Sequence, residues 1–304
     1  MANFSGTGVA VLTPFDEDYH VNSQELVRLL EHILAGGVEY LVALGTTAET
    51  PTLSAKEQLE VLDVFFSTVG DRIPVVIGAG GNNTAQVGKT IQDWTHRYQP
   101  SGFLSVCPYY NNPSQEGLYR HFRELSFHTD LPIILYNVPS RTRINMKAET
   151  TLRLAEEFNN ICAIKESSGD MGQCGEILSH KPADFQVLSG DDSLALPLGA
   201  LGAEGLISVL ANAFPKPVSD MVRASLAGRQ KEAQSTFYRL ADLMKVCFEE
   251  GNPAGIKAVC QELGLCSANV RLPLVKASAA LSHRIQEELA RYVAPTSSSN
   301  SSVQ

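Results

Sequence analysis

GVAVLTP (residues 8 to 14), YLVALGT (40 to 46) and PVVIGAG (74 to 80) are the three apolar runs of the stretch that decides the fold. Between them lie SQELVRLLEHILAGG (23 to 37) and SAKEQLEVLDVFFSTVG (54 to 70), which have helical periodicity, an initial serine, early glutamates and a final glycine. Apolar runs that alternate with amphipathic helices are typical of βαβ units in a parallel sheet. Runs that are apolar along their length indicate strands covered on both faces.

The same alternation continues along the chain and gives eight predicted strands. The other five are GFLSVCP (102 to 108), PIILYNV (132 to 138), CAIKES (162 to 167), FQVLSG (185 to 190) and GLISVL (205 to 210). Eight repeats favour a closed (β/α)8 TIM barrel over a doubly wound sheet, which usually has fewer strands and a glycine-rich loop after the first. The loop after the first run, TPFDEDYH, contains no glycine.

After residue 212 the pattern changes to helices alone, and these predict the domain organisation. We expect helices near 215 to 227, 230 to 249, 253 to 264 and 273 to 291. The first of them completes the barrel, and the other three form a C-terminal helical extension. The predicted units are a catalytic barrel (1 to 228), the extension (229 to 293) and a disordered polar tail (294 to 304) with too few apolar residues to order.

The composition argues against several classes of protein. The 33 acidic and 24 basic residues give a net charge of -9 without a basic block, so nucleic acid is not an expected partner. We expect no membrane association and a cytoplasmic location, since no apolar run is long enough to span a bilayer and no export signal is recognisable. Six cysteines without CxxC spacing indicate free thiols. Scattered histidines give no reason to expect a metal or another cofactor.

Lys165, inside CAIKES, is the most informative candidate for catalysis because the catalytic groups of such barrels lie at the carboxyl ends of strands. Burial would lower its pKa, and a neutral amine can attack a keto group to form an imine. Two other interpretations stay open: the lysine could extend into water or pair with Glu166. Tyr136 could move the protons that imine formation requires, or it could simply cover the core.

Three further polar residues lie at predicted strand ends. Thr46 and Thr47 follow Gly45, so their hydroxyl and N–H groups could bind a small carboxylate or form a plain turn. Arg141 could hold a second carboxylate in a bidentate fork, or it could be solvated. Their coincidence at one face of the barrel favours a binding site.

Six sequence blocks lie in order along the chain: GTTAET (45 to 50), CPYYNNPSQEGLYRHF (107 to 122), LYNVPSRT (135 to 142), IKESSGD (164 to 170), LSGDDSLALP (188 to 197) and GLISVLAN (205 to 212). Together they resemble the dihydrodipicolinate synthase family of 4-hydroxy-tetrahydrodipicolinate synthases, within the pyruvate-dependent class I aldolases. The resemblance extends from about residue 8 to 292. It implies a lyase that condenses pyruvate with L-aspartate 4-semialdehyde in diaminopimelate and lysine biosynthesis, without a separate cofactor.

The resemblance also implies the roles of the catalytic residues. Lys165 would form the Schiff base with pyruvate, and Tyr136 would move protons and lie over the bound keto acid. Thr46 and Tyr110 would complete a proton relay with Tyr136. Tyr110 would act in the site of a neighbouring subunit, so a homo-oligomer is expected, either a dimer or a tetramer of two tight dimers.

The remaining implied roles concern the substrates. Thr47, Gly190 and Ile207 would contact pyruvate, and Arg141 would hold the carboxylate of L-aspartate 4-semialdehyde. Arg141 argues against N-acetylneuraminate lyase and 2-keto-3-deoxy sugar acid aldolases, whose polyhydroxylated substrates need neutral hydrogen-bonding groups. A non-catalytic barrel that binds a keto acid would have little use for a relay and a nucleophile.

Two positions depart from the pattern of the family. Ala48 stands where GTTGE has glycine, and we expect the added methyl to be tolerated unless this residue needs a positive φ. Arg143 stands where glycine usually follows SRT, and it could change the access or preference of the substrate.

Feedback inhibition by lysine is a further trait that the resemblance implies, at a cleft in the tight-dimer interface. The matching positions are Thr50, Pro51, Ala55, Gln58, Asn82, Gln86 and Tyr109. Gln86 stands where strongly regulated members have a glutamate, and it has no charge to pair with a lysine ammonium group. We therefore expect weak or absent inhibition.

Overall fold

The computed structural model describes residues 3–293, and these contain eight parallel strands that form a closed barrel in sequence order. The strands are β1 (Gly6–Ala10), β2 (Tyr40–Ala43), β3 (Val75–Gly78), β4 (Gly102–Val106), β5 (Ile133–Asn137), β6 (Ile161–Glu166), β7 (Gln186–Ser189) and β8 (Gly205–Ser208). The predicted TIM barrel is confirmed. Each strand ends before the end of the apolar run that predicted it. Buried residues of the following loop, such as Leu44 with φ +53°, extend the apolar run beyond the last hydrogen bond between strands.

Side chains alternate between the barrel interior and the surrounding helices, as the period of two requires. On β5, Tyr136 belongs to the interior cluster, whereas Leu135 packs in the layer between barrel and helices. On β6, Ile164 packs outward, and its neighbour Lys165 points inward. The strand register pairs Tyr136 with Lys165, so both side chains lie side by side inside the barrel.

Nine helices accompany the barrel within the described residues: α1 (Ser23–Ala35), α2 (Ala55–Val69), α3 (Thr84–Tyr98), α4 (Gln115–Ser126), α5 (Pro139–Thr142), α6 (Ala148–Glu157), α7 (Met171–His180), α8 (Ala195–Leu201) and α9 (Pro215–Leu226). Ser54 caps α2 in a capping box with Glu57. The cap of α1 is Asn22, whose side chain accepts a hydrogen bond from the Glu25 N–H, and not the serine that follows it.

The C-terminal extension consists of α10 (Gln230–Val246), α11 (Ala254–Glu262) and α12 (Ala279–Val293). The prediction that the last helix begins at residue 273 was wrong. Leu272 and Val275 are exposed, so this segment has no apolar face to bury, and Ser278 caps α12 by accepting from the Leu281 N–H.

The domain boundary at residues 228 and 229 stays a prediction, and α10 packs directly on α9 across it. The predicted disordered tail, residues 294 to 304, lies outside the described residues. From residue 3 to residue 293, no helix is both long and apolar enough to cross a membrane.

Candidate active site

Lys165 lies inside the barrel near its carboxyl-terminal mouth and is only 4% exposed. Its Nζ lies 4.3 Å from the centroid of the Tyr136 ring. Glu166 points to the opposite face of β6, where its carboxylate accepts hydrogen bonds from Asn137 Nδ2 at 3.0 Å and Gln173 Nε2 at 3.1 Å. Burial raises the pKa of Glu166. Both alternatives left open for Lys165, extension into water and a pair with Glu166, are therefore wrong.

A cavity of about 410 Å³ opens at this mouth of the barrel. It brings together three predicted site residues, Thr46, Tyr136 and Arg141. Its wall also contains four of the seven positions assigned to the regulatory cleft, namely Thr50, Pro51, Gln58 and Tyr109. Two of the four predicted catalytic residues, Thr46 and Tyr136, and four of the predicted regulatory positions thus line one cavity, whereas Lys165 lies beside it and is not part of its wall.

Tyr136 forms part of the cavity wall. Tyr136 is 7% exposed, and among residues 3–293 its hydroxyl has no hydrogen-bond partner within range. Thr46 begins a short 3-10 turn, Thr46–Ala48, directly after Gly45. Ala48 has a negative φ, and the left-handed residue of this loop is Glu49, with φ +56°. The expectation that an alanine is tolerated at position 48 is consistent with this geometry.

Thr47 faces the helical extension. Its Oγ1 accepts a hydrogen bond from Asn252 Nδ2 at 3.0 Å, and the Asn252 carbonyl accepts one from Arg141 Nη2 at 3.4 Å. Asn252 lies between α10 and α11, so the extension connects two predicted substrate-binding residues. Sequence reasoning missed this asparagine, because no pattern around it indicates contact with a residue 205 positions away.

Gly190 packs against Lys165, where it leaves room for the lysine side chain. A Cβ atom at Gly190 would lie 2.9 Å from Lys165 Cε and 1.8 Å from Ser167 Oγ, so no larger residue fits without rearrangement. Ile207, on β8, is fully buried and belongs to the same interior cluster as Tyr136. Gly190 thus lies directly against the predicted nucleophile, and Ile207 shares the barrel interior with Tyr136.

Tyr110 does not join the other predicted catalytic residues within one chain. It is 94% exposed and has φ +74°, and it is not part of the cavity wall. Asn82 and Gln86 are exposed and also lie outside the cavity wall. Arg143 is exposed, with φ +63°, at the end of α5.

Three comparisons with known proteins show what the chain is similar to. The profile of the dihydrodipicolinate synthetase family matches residues 3–292. The 4-hydroxy-tetrahydrodipicolinate synthase of Parabacteroides distasonis is 46% identical over 288 residues, which cover 94% of this chain and 96% of that protein.

Two similar solved structures contain ligands. Dihydrodipicolinate synthase from Acinetobacter baumannii, complexed with pyruvate, superposes with a TM-score of 0.92 at 34% identity and covers 95% of this chain and 99% of its own. DHDPS from Cyanidioschyzon merolae, with lysine bound, has a TM-score of 0.91 at 34% identity and covers 95% of this chain and 98% of its own.

Proposed function

The chain belongs to the dihydrodipicolinate synthetase family, and we propose that Lys165 forms the Schiff base through which it condenses pyruvate with L-aspartate 4-semialdehyde. The product is 4-hydroxy-tetrahydrodipicolinate, and the reaction belongs to diaminopimelate and lysine biosynthesis. The observation that supports this role most directly is the burial of Lys165 against Tyr136 beside the cavity. A shielded amine next to a free phenol is the arrangement that imine formation requires.

The reaction begins when the amine of Lys165 attacks the keto carbon of pyruvate. The C–N bond forms, the carbonyl electron pair moves to oxygen, and Tyr136 gives this oxygen a proton and later accepts one from nitrogen. Tyr136 then gives this hydroxyl a second proton, the C–O bond breaks as water leaves, and the nitrogen lone pair forms the C=N bond of the protonated imine. Loss of a methyl proton gives the enamine, which attacks the aldehyde carbon of the second substrate. The amine of that substrate then displaces Lys165 by transimination, which closes the ring and frees the enzyme.

The other cavity residues position the two substrates. We propose that the Thr46 hydroxyl passes protons to and from Tyr136, a role supported by the position of both residues in the cavity wall. Thr47 offers its backbone N–H to the pyruvate carboxylate, while its side-chain oxygen accepts a hydrogen bond from Asn252 Nδ2. Arg141 provides the cation for the second carboxylate, which a polyhydroxylated sugar acid would not need.

The residues that border Lys165 shape the pocket for the keto acid. Gly190 leaves the lysine side chain its space, and Ile207 gives the pyruvate methyl an apolar neighbour inside the barrel. We therefore propose that Gly190 and Ile207 both contact pyruvate.

Tyr110 belongs to this proposal through a second copy of the chain. A tyrosine that is 94% exposed beside the half-exposed Tyr109 is an unusual feature of a free surface, and aromatic residues are enriched at interfaces. In a homo-oligomer, Tyr110 of one subunit would reach the Thr46 and Tyr136 hydroxyls of another. Both a dimer and a tetramer of dimers provide this contact.

A coupled assay tests the proposed function. Pyruvate and L-aspartate 4-semialdehyde are supplied with a reductase, and NADPH oxidation is followed for the wild type and for Lys165→Ala. We expect turnover in the wild type and its loss in the variant. Lys231→Ala, at an exposed position, is the control and retains turnover. If the wild type does not turn over but borohydride and pyruvate still label Lys165, the substrate is that of a sugar acid aldolase.

The regulatory positions give a separate prediction. The cleft that would bind lysine includes Gln86, which provides no carboxylate for the ammonium group, and Gln86 is exposed outside the cavity. We expect weak or absent inhibition by lysine and expect Gln86→Glu to strengthen it. The measurement is the initial rate against lysine concentration. Strong inhibition of the wild type at submillimolar lysine would refute the prediction.

A further inference from the structure

Ser167 has a hydroxyl oxygen that is buried and lacks a hydrogen-bond partner among residues 3–293. A buried hydroxyl without a partner costs about 1 to 3 kcal/mol, so such atoms are rare unless a ligand satisfies them. Two neighbouring serines at the barrel mouth are satisfied. Ser189 Oγ donates to the Asp191 carbonyl at 2.8 Å, and Ser208 Oγ donates to the Asp192 carboxylate.

The position of Ser167 relates it to the nucleophile. It follows Lys165 by two residues at the end of β6, so the period of two directs both side chains to the same side of the strand. Its backbone N–H donates to the Asn137 carbonyl at 2.9 Å, which continues the ladder with β5 and fixes this direction. The hydroxyl and Lys165 Cε both border the position that a Gly190 side chain would occupy.

The other unpartnered buried atoms do not share this environment. Most of them belong to residues away from Lys165, namely Thr7, Tyr40, Ser105, His121 and Ser225. The side chain of Asn252 is also unsatisfied at Oδ1, but its amide already donates to Thr47. Ser167 thus combines three observations: a free hydroxyl, complete burial of its oxygen and direct proximity to the nucleophilic lysine.

We propose that the Ser167 hydroxyl binds the oxygen that leaves the keto acid when Lys165 forms the imine, an inference that rests on the proposed function. As Lys165 nitrogen bonds to the keto carbon, the carbonyl electron pair moves to oxygen, and this oxygen accepts a hydrogen bond from Ser167. The same bond holds the hydroxyl of the carbinolamine until it departs as water and the C=N bond forms. Ser167 donates a hydrogen bond throughout and transfers no net proton, which leaves proton transfer to Tyr136.

The test is the rate at which pyruvate and borohydride label Lys165 in Ser167→Ala. Loss of one hydrogen bond to the developing charge lowers this rate by about tenfold or more. The value of kcat/KM for pyruvate falls in parallel, and kcat/KM for L-aspartate 4-semialdehyde stays unchanged. Because no internal hydrogen bond is lost, the melting temperature of Ser167→Ala equals or exceeds that of the wild type.

Two matched variants separate this role from a structural one. Ser167→Thr keeps the hydroxyl and restores most of the labelling rate. Ser168→Ala removes the adjacent hydroxyl, which accepts from the Asp170 N–H, and labels at the rate of the wild type. Labelling of Ser167→Ala at the rate of the wild type overturns the inference and leaves the proposed function intact. Absence of labelling in the wild type contradicts the proposed function itself.

Discussion

Arg143 is held in a backbone conformation that a side chain makes costly. It ends α5 with φ +63°, in the left-handed region where the Cβ atom approaches the following carbonyl oxygen. Glycine has no such contact, which gives a physical reason why the family usually has glycine at this position. The arginine therefore adds both strain and a second guanidinium group near Arg141.

Arg143→Gly is predicted to stabilise the protein. Relief of the left-handed strain exceeds the added chain entropy of glycine, and we expect the free energy of unfolding to rise by about 0.5 to 1 kcal/mol. Ala48→Gly is the matched control, because it also restores the family's glycine but at a negative φ, and it should lower stability. Urea denaturation of both variants measures the difference. If both variants raised, or both lowered, the free energy of unfolding, backbone strain at Arg143 would not be the cause.

At the residue scale, the sequence was sufficient to predict contacts between side chains of neighbouring strands. It was not sufficient to predict contacts that form only when distant loops and the extension pack together. The meeting of Lys165 and Tyr136 was predictable because each is the second-last residue of its strand and the barrel fixes where strand ends meet. Asn252 was not, since its contact with Thr47 exists only after the extension has folded back on the mouth. The free hydroxyl of Ser167 is likewise a property of the packed structure.

The element that fixes the loop after β2 is α11, through a buried ion pair. Lys257 Nζ lies 2.5 Å from Glu49 Oε1 and donates to the Asn269 carbonyl at 2.7 Å, and both charged side chains are fully buried. The other Glu49 oxygen accepts from the Arg271 N–H at 2.9 Å. Because Glu49 directly follows the turn that contains Thr46, the extension determines where this turn lies.

Lys257→Met is predicted to destabilise the protein by about 3 to 5 kcal/mol, because it leaves the Glu49 carboxylate buried without its counterion. The double variant Lys257→Met/Glu49→Gln removes that charge and should recover most of the loss. Lys216→Met breaks the exposed pair with Asp220 and should change stability by less than about 0.5 kcal/mol. Denaturant titrations compare the three proteins. A double variant no more stable than the single one would show that the unpaired charge is not the cause.

For the whole molecule, the closed barrel was predictable and the path of the C-terminal segment was not. Eight repeats of strand and helix can bury all their apolar faces only by closing around one core, so counting the runs was enough. The segment from residue 263 to 278 follows no period. The spacing of the exposed residues Leu272 and Val275 resembles that of an amphipathic helix. The sequence-based prediction therefore began α12 too early.

The stability of the whole fold is predicted to fall in mild acid because of His121. This side chain is 4% exposed between α3 and α4, with Nδ1 2.9 Å from Thr84 Oγ1 and no partner for Nε2 within residues 3–293. Burial lowers the pKa of His121 to about 4, from an ordinary value of 6.5. The contribution of neutral His121 to the free energy of unfolding is therefore fully present above pH 6.5. It is lost as the pH falls towards 4, because only the unfolded chain then binds the proton.

The expected loss attributable to His121 reaches up to about 3 kcal/mol near pH 4. Burial raises the pKa of Glu166 and Asp192, and these carboxyl groups change stability in the opposite direction as they bind protons, so the comparison must be between variants.

His121→Asn can keep a hydrogen bond to Thr84 but does not titrate. Its free energy of unfolding should fall less steeply than that of the wild type between neutral pH and pH 4. His283→Asn, at an exposed position, should follow the wild type, and parallel curves for all three proteins would exclude His121 as the source of acid sensitivity.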